Sequence, residues 1–252
     1  MKTKLSAFII AFNEEKIIEQ CLKKLDWVDE IIVVDSGSTA DTVAICEKYN
    51  AKVFYKKFEG YGEQKQFALD QTKNDWVINL DADEVLTDAL IDEIKANLDN
   101  NDPEITGFYI KMRMVFSGKI FNYGNESNRD SLRLFNKNHG KIDPATVHES
   151  VILNGKTQKL KNHYLHYTCN SFEAYINKLN KYTGFYAENK FKKNKSYSLL
   201  EISIKVKIEF IKKYFFELNF LNGKAGFYWS YISSVYSGVK CIKTNEMYLL
   251  NK

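Results

Sequence analysis

The order of strand and helix signals in the first hundred residues constrains the fold more than any other feature. Short apolar runs rich in β-branched residues alternate with segments whose apolar residues recur at helical spacing. The runs are LSAFII (5–10), IIVV (31–34), AKVFY (51–55) and WVINL (76–80), and the helical segments cover 14–25, a stretch from about 39, 63–72 and 90–98. Strands that alternate with helices in this way form a parallel sheet with helices on its faces. We therefore predict an α/β fold with a mostly parallel central sheet.

The pattern changes after Pro103 and again near residue 170. Two segments with alternating apolar residues, 107–116 and 131–135, predict strands on either side of a loop rich in Gly, Asn and Ser. Helical periodicity returns at Ser171 and continues with breaks to about Ile242. We predict an α/β domain over 1–170 and a C-terminal helical region, basic and aromatic, over 171–252.

Composition supports a folded chain with an uneven charge distribution. The 252 residues are 44% hydrophobic, which excludes a disordered protein, and the formal net charge is +4. Residues 171–252 contain 14 Lys and 6 Asp or Glu, a net charge of +8, so residues 1–170 carry −4. A basic end of this kind indicates contact with an anionic partner, either phospholipid or nucleic acid.

Carboxylates follow three of the four predicted strands. The segments are Ala11-Phe12-Asn13-Glu14, Asp35-Ser36-Gly37-Ser38 and Asp81-Ala82-Asp83-Glu84. In an open parallel sheet, ligands bind beyond the carboxyl ends of the strands. The sequence therefore predicts an acidic ligand pocket at this edge.

The Asp81–Glu84 segment allows two interpretations. Asp81 and Asp83, two residues apart after an apolar strand, could provide oxygen ligands for Mg²⁺ or Mn²⁺, and the metal would bind substrate phosphates. The segment could equally be an acidic turn before the next helix. Because Asp35 and Glu14 are expected at the same edge, we favour the metal site.

Together these motifs resemble a known enzyme family. AFNEE (11–15), VVDSGS (33–38), GYGEQKQFAL (60–69) and WVINLDADE (76–84) resemble, in this order and spacing, the family 2 glycosyltransferases with the GT-A fold. RLFNK (133–137), VHES (147–150) and LHYT (165–168) resemble the subgroup that contains the lipopolysaccharide inner-core β-glucosyltransferases of Gram-negative bacteria. The resemblance covers about residues 4–185.

The resemblance implies a donor site and a metal site. The implied donor-binding residues are Phe12, Glu14 and Asp35 around the base and ribose, Lys65 near the base or phosphate, and Asp81 near the ribose or a metal-bound water. Asp83 would bind the metal directly, with Asp81 and His166 as further candidates. Glu84 either orients these carboxylates or begins the next helix.

The resemblance also implies an inverting reaction, which needs a base for the acceptor hydroxyl. The matching carboxylate is Glu149 in VHES, with Asp143 and Asp130 as alternatives. His148 either orients the acceptor or is structural, and His166 or His163 could reach the metal or the diphosphate. Arg129 and Arg133 could pair with the diphosphate or with an anionic acceptor.

We therefore predict a metal-dependent, inverting hexosyltransferase. It would move a sugar, glucose first, from a UDP-sugar to a lipid-linked saccharide such as the lipopolysaccharide inner core. The alternatives are a sugar nucleotidyltransferase and a non-catalytic sugar- or lipid-binding protein on the same scaffold. The segment AFNEE (11–15) is acidic and lacks the Gly-rich basic loop usual in nucleotidyltransferases.

The last part of the chain leaves two interpretations open. Lysines next to aromatic residues over 199–243 suit a membrane surface, but the aromatic residues could instead pack on the catalytic domain. Nucleic acid is a poor partner for an acidic pocket. The sequence shows no N-terminal signal pattern and its four Cys are scattered, so we expect a cytoplasmic protein at the inner face of the cytoplasmic membrane.

Overall fold

The computed structural model describes residues 3–39, 41–100, 102–143, 150–168 and 172–250. The chain divides into two compact units. The first comprises Met1–Arg113 and Arg129–Tyr167, and the second comprises Met114–Asn128 and Thr168–Lys252. The segment Met114–Asn128 is thus part of the second unit, although the sequence-based boundary at 170 assigns it to the first.

The first unit is built on a mixed sheet. Its strands are β1 (Leu5–Ala11), β2 (Glu30–Asp35), β3 (Lys52–Tyr55), β4 (Trp76–Asp81), β5 (Glu84–Leu86), β6 (Ile105–Phe116, which ends in the second unit), β8 (Asp130–Asn136), β9 (Gly140–Ile142), β10 (Val151–Leu153) and β11 (Lys156–Tyr167). In the described part of the chain the main sheet has the order β3-β2-β1-β4-β8-β6-β11-β5. Strands β1 to β4 pair in parallel, whereas β8 pairs antiparallel with β4 and β6, and β5 with β11.

Helices cover both faces of this sheet, as the sequence predicts. They are α1 (Ile18–Leu22), α2 (Thr42–Lys48), α3 (Tyr61–Asp70) and α4 (Asp88–Asp99). In β1, Ala7 and Ile9 pack in one core with residues of α1, α2 and α4, while Phe8 packs in a second core with Ala68 and Leu69 of α3. Successive strand residues point to opposite faces, so a continuous apolar run is what a doubly covered strand requires.

Two segments differ from the sequence prediction. The helix expected over 14–25 is α-helical only over Ile18–Leu22, because Asn13 has a positive φ of 56° and Ile17 and Ile18 both donate to the carbonyl of Glu14. The loop expected over 117–130 contains the short strand β7 (Lys119–Ile120), which pairs with the end of β6, and a 3₁₀ turn at Asn125–Ser127.

The second unit is mainly helical. It contains α5 (Phe172–Phe191), α6 (Leu199–Ile211), a π-helical turn (Lys212–Phe216), a 3₁₀ turn (Asn219–Asn222) and α7 (Gly223–Leu250). A small aromatic core holds it together, in which Trp229 stacks on Tyr175 with ring centroids 5.2 Å apart and meets Phe116 edge to face. Among the helices within the described ranges, none combines the length and apolar content that crossing a bilayer requires.

Candidate active site

The loops that follow β1 and β2 are tied to each other by hydrogen bonds. The backbone NH of Asn13 donates to Ser38 Oγ at 2.9 Å, and Asn13 Oδ1 accepts from the NH of Thr39 at 2.9 Å. The NH of Glu14 donates to the buried hydroxyl of Thr42 at 3.0 Å. The left-handed conformation of Asn13, which Asn adopts more readily than most residues, makes these contacts possible.

Asp35 closes the second of these loops. Its side chain is buried, and Oδ2 accepts from the NH groups of Gly37 at 2.8 Å and Ser38 at 2.9 Å, while Oδ1 accepts from Ser38 Oγ. A carboxylate that accepts several donors fixes the loop around it. Phe12, with 55% of its surface exposed, lies on the neighbouring loop and leaves an aromatic face open beside Asp35's loop.

Asp81 belongs to a cluster of alternating charges. Its Oδ1 lies 2.7 Å from Lys65 Nζ of α3, and its Oδ2 lies 3.3 Å from an Arg133 nitrogen of β8. The Lys65 side chain is only 3% exposed. Burial opposes the charge of Asp81, but Lys65 and Arg133 outweigh it and hold the pKa of Asp81 well below its usual range. The predicted metal ligand Asp81 is therefore an ionised partner of two cations.

Glu84 is the fourth charged residue of this cluster and contacts both Asp81 and Arg133. Its buried side chain accepts from the NH of Asp81 at 2.9 Å and forms an ion pair with Arg133. Burial raises the pKa of Glu84 well above its ordinary value, although Arg133 acts in the opposite direction. Of the two sequence-based alternatives for Glu84, this contact supports a role in orienting Asp81, since α4 begins only at Asp88 with Thr87 as its cap.

Asp83 faces a different partner. Its Oδ2 lies 3.1 Å from His166 Nε2, and the two side chains are 26% and 28% exposed. The antiparallel pairing of β5 with β11 places His166 opposite Glu84, and the NH of Tyr167 donates to the Asp83 carbonyl at 2.9 Å. Burial disfavours protonated His166, but the hydrogen bond to Asp83 outweighs it and raises the pKa of His166.

These contacts decide how a divalent metal could be held. Among the described residues, no three Asp, Glu, His or Cys side chains are close enough to hold a metal ion together. Asp83 and His166 provide one carboxylate and one imidazole, both partly open to solvent. Mg²⁺ and Mn²⁺ sites often use one or two protein ligands and take the others from substrate phosphates and water. The donor set therefore fits a metal that binds together with a diphosphate.

A cavity of about 280 Å³ opens beside this charge cluster. Its walls combine Lys65 and Arg133 with the polar residues Asn79, Tyr109, Asp130, Ser131 and Ser150 and the apolar residues Leu132, Ile142 and Val151. Asn79 is buried, and its Oδ1 accepts no hydrogen bond within the described part of the chain. The cavity therefore presents polar side chains next to the charge cluster.

The remaining predicted site residues divide into three groups. Glu149 and His148 lie outside the described residues. Arg133 is in the cluster, whereas Arg129 begins the segment that enters β8 and its carbonyl accepts from the NH of Met112 at 2.8 Å. His163 lies three residues before His166 on β11 and therefore on the opposite face, where burial and the nearby Arg113 and Lys111 lower its pKa.

Sequence reasoning missed three residues that position this site. Gln64 Nε2 donates to Ser36 Oγ at 2.9 Å and to the Lys56 carbonyl at 2.8 Å, which fastens α3 to the Asp35 loop. The ring of Tyr164 lies 5.6 Å from the Arg133 guanidinium, and Thr42 holds the Glu14 loop. Of these three, only Gln64 could have been found from the sequence, because it is next to Lys65 in the segment GYGEQKQFAL.

Comparisons with known proteins identify the family of this chain. The model of the family described as "Glycosyl transferase family 2" matches residues 6–184. An uncharacterized glycosyltransferase of Rickettsia typhi is 33% identical over 99% of this chain and 89% of its own length. The lipopolysaccharide core biosynthesis glycosyltransferase LpsC of Rhizobium meliloti is 31% identical over 99% of this chain and 94% of its own length.

One solved structure is a glucosyl-3-phosphoglycerate synthase from Mycobacterium tuberculosis in complex with Mn²⁺, uridine diphosphate and glucosyl-3-phosphoglycerate. Its similarity to this chain amounts to 27% sequence identity in a match that covers 45% of this chain and 44% of the synthase, with a TM-score of 0.38. The family model matches most of the chain, and the two relatives match it over nearly its full length. The α/β sheet with its helical C-terminal part agrees with the fold that the motifs predict. The chain belongs to glycosyl transferase family 2 and has the GT-A fold.

Proposed function

We propose that this glycosyltransferase moves a hexose, with glucose as the first candidate, from a UDP-sugar to a lipid-linked saccharide and inverts the anomeric centre. The observation that carries the proposal is the pair Asp83–His166, 3.1 Å apart, next to the charge-balanced Asp81 at the carboxyl edge of β4. A carboxylate and an imidazole that could hold a metal ion here would suit a diphosphate that gains negative charge as its sugar leaves.

The donor would bind across the loops after β1 and β2. Asp35 is fixed by three hydrogen bonds from its own loop, so its remaining lone pairs have a defined direction for a uracil NH or a ribose hydroxyl. Phe12 would cover the base and Glu14 would lie beside it. Lys65 and Arg133, which line the cavity, would lie beside the diphosphate.

A divalent ion, Mg²⁺ or Mn²⁺, would be held by Asp83 and His166 and would supply positive charge to the leaving diphosphate. Asp81 would stay with its cations and orient the ribose side of the donor. Glu84 would keep Asp81 in place through the 2.9 Å hydrogen bond to its NH.

The acceptor hydroxyl needs a base as it attacks the anomeric carbon. The family resemblance assigns this proton to Glu149, with His148 beside it to orient the acceptor. Glu149 follows β9 and precedes β10, and Ile142 and Val151 on either side of this segment both line the cavity. The position in the chain therefore supports Glu149 as the base, and Arg129 would meet an anionic part of the acceptor.

The relative LpsC supports a saccharide of the lipopolysaccharide core as acceptor, and hence action at the inner face of the cytoplasmic membrane. We test the activity by incubating the protein with UDP-glucose, UDP-galactose, UDP-N-acetylglucosamine or GDP-mannose and measuring the released nucleotide with Mn²⁺ and with EDTA. We expect one UDP-sugar to be turned over only with the metal.

Two variants sharpen this test. Asp83→Asn should lower the turnover by about 100-fold or more, the scale of losing a main electrostatic contact. Asp88→Asn, on a side chain that is 83% exposed, is the matched control and should be neutral. Glu149→Gln should lower transfer to an acceptor by about 10²–10⁴-fold but keep donor binding. Full turnover in EDTA would contradict the metal role, and loss of donor binding in Glu149→Gln would contradict the base role.

A further inference from the structure

An apolar surface runs along α6 and the π-helical turn that follows it. We call it the α6 ridge and define it by seven exposed side chains. They are Leu199, Leu200, Ile204, Ile208, Ile211, Phe215 and Phe216, with exposed fractions of 84%, 69%, 45%, 59%, 46%, 53% and 80%. Single exposed apolar residues are ordinary on protein surfaces, but a continuous row is a sign of an interaction site.

The spacing of five of these seven residues places them on one face of a helix, and Leu199 and Phe216 lie next to that face at its two ends. Leu200, Ile204, Ile208, Ile211 and Phe215 follow one another at intervals of four or three residues. A different face of α6 packs inside the second unit. A Cβ placed on Gly238 of α7 would lie 2.7 Å from Val206, and Lys205 Nζ lies 4.2 Å from the ring centroid of Tyr197. Apolar residues therefore occupy both faces of α6, and only one face is covered within its unit.

Positive charge flanks the ridge. Lys207 and Lys212 are exposed beside it; the Lys212 side chain is 57% exposed, and its Nζ also lies 3.8 Å from the mostly buried Glu217. The two carboxylates of α6 are engaged within their own unit: Glu201 forms a capping box with Ser198, and Glu209 lies 3.8 Å from Lys213. Residues 171–252 carry a net charge of +8 in total.

We propose that the α6 ridge binds the surface of an anionic lipid bilayer, with Leu, Ile and Phe side chains at the acyl boundary and lysines among the headgroups. A helix with a basic side and exposed Leu and Phe side chains suits this position. Lysine is depleted at the centres of protein–protein interfaces but contributes about 1 kcal/mol near an anionic membrane. The lysines beside the ridge therefore favour a bilayer over a second protein surface.

This binding goes beyond the proposed sugar transfer and does not depend on it, because the ridge lies in the second unit and needs no donor, metal or acceptor. We test it by co-sedimentation of the whole protein with vesicles of phosphatidylcholine alone or mixed with phosphatidylglycerol, at low and high salt. We expect strong binding to the mixed vesicles, weaker binding to the neutral ones, and partial release by salt.

Matched variants separate the ridge from general adhesion. Ile208→Gln should weaken binding about tenfold by removing a branched apolar side chain, while Ile152→Gln, on a side chain in the first unit that is 45% exposed, should not. Lys207→Gln with Lys212→Gln should weaken binding about 30-fold at low salt, at about 1 kcal/mol for each lysine. Lys4→Gln with Lys57→Gln, which removes the same charge from exposed positions of the first unit, should have little effect.

Circular dichroism is used to check that each variant is folded, and sedimentation velocity to measure its oligomeric state. Equal pelleting with neutral and mixed vesicles, or equal loss in the ridge and control variants, would overturn the proposal. It would also be overturned if the protein is a dimer that Ile208→Gln converts to a monomer while vesicle binding is absent. In that case the ridge binds a second copy of the chain.

Discussion

The charge cluster predicts that the two aspartates of the DADE segment respond differently when their charge is removed. Asp81→Asn takes the 2.7 Å carboxylate partner from Lys65, whose side chain is 3% exposed, and the 3.3 Å partner from Arg133. Asp83→Asn changes one contact between two partly exposed groups, Asp83 and His166. We therefore expect Asp81→Asn to lower the stability of the protein and Asp83→Asn to lower its response to metal.

The expected size of each effect follows from burial. Breaking a fully buried ion pair by removing one partner costs about 3–5 kcal/mol. The Asp81 side chain is 33% exposed and Arg133 keeps Glu84, so we expect about 2 kcal/mol, or a Tm lower by about 4–8 °C. For the more exposed Asp83 pair we expect about 0–1 kcal/mol and a Tm change below about 4 °C.

The assay is thermal unfolding at pH 7, first without metal and then with Mn²⁺ and UDP. A ligand that binds only the folded protein must raise its Tm, so the metal-dependent part of the increase should persist in Asp81→Asn and largely disappear in Asp83→Asn. The double variant Lys65→Met, Asp81→Asn should cost less than the sum of its single variants, because it removes both charges of the pair. If Asp83→Asn destabilises the metal-free protein as much as Asp81→Asn does, the assignment of Asp81 to the cluster is refuted.

Two further predictions concern the scaffold. Gly226→Ala would place a Cβ 1.9 Å from the Asn219 carbonyl, so we expect loss of at least about 3 kcal/mol from the second unit, measured by urea unfolding followed through tryptophan fluorescence. Burial alone would raise the pKa of Glu30, but hydrogen bonds from Lys52, the Lys73 NH and Ser6 outweigh it and lower the pKa. Glu30 therefore stabilises the fold above pH 4.5, its unfolded value, and this contribution is lost as the pH falls through the folded pKa. Glu30→Gln should cost about 1–3 kcal/mol at pH 7 and less at pH 3 in the same assay, and an equal cost at both would contradict this.

The strands of the sheet could be predicted from the sequence because their signal is local. LSAFII and WVINL are mainly apolar runs, and β1 and β4 are indeed adjacent, parallel and buried on both faces. The boundaries of α1 could not be predicted in the same way. The apolar spacing over 14–25 is helical, but the backbone before Ile18 forms a loop that begins at Asn13. The hydrogen bonds of Asn13 that hold this loop go to Ser38 and Thr39, which belong to another loop.

The candidate site shows the same division between local and distant information. The sequence indicates that Asp35, Asp81 and Asp83 gather at one edge, because each follows an element of a parallel sheet. It gives no sign that Lys65 of α3 and Arg133 of β8 converge on Asp81, since Arg133 is 52 residues away along the chain. Glu149 lies outside the described residues, so its assignment as the base depends on the family resemblance.

The different environments of Asp81 and Asp83 follow from where the strands end. Asp81 is the last residue of β4, which β1 and β8 flank, so its side chain meets the cations of the neighbouring elements. Asp83 precedes β5, which pairs only with β11 in the described part of the chain, and so it meets His166 at the margin of the sheet, where water has access. Asp81 already contacts two cations, whereas Asp83 contacts a single, partly exposed imidazole, so a metal ion could reach Asp83 more easily. The short DADE segment thus supports two electrostatic roles, one that fixes positive charge next to the cavity and one that leaves a carboxylate and an imidazole open to an incoming ion.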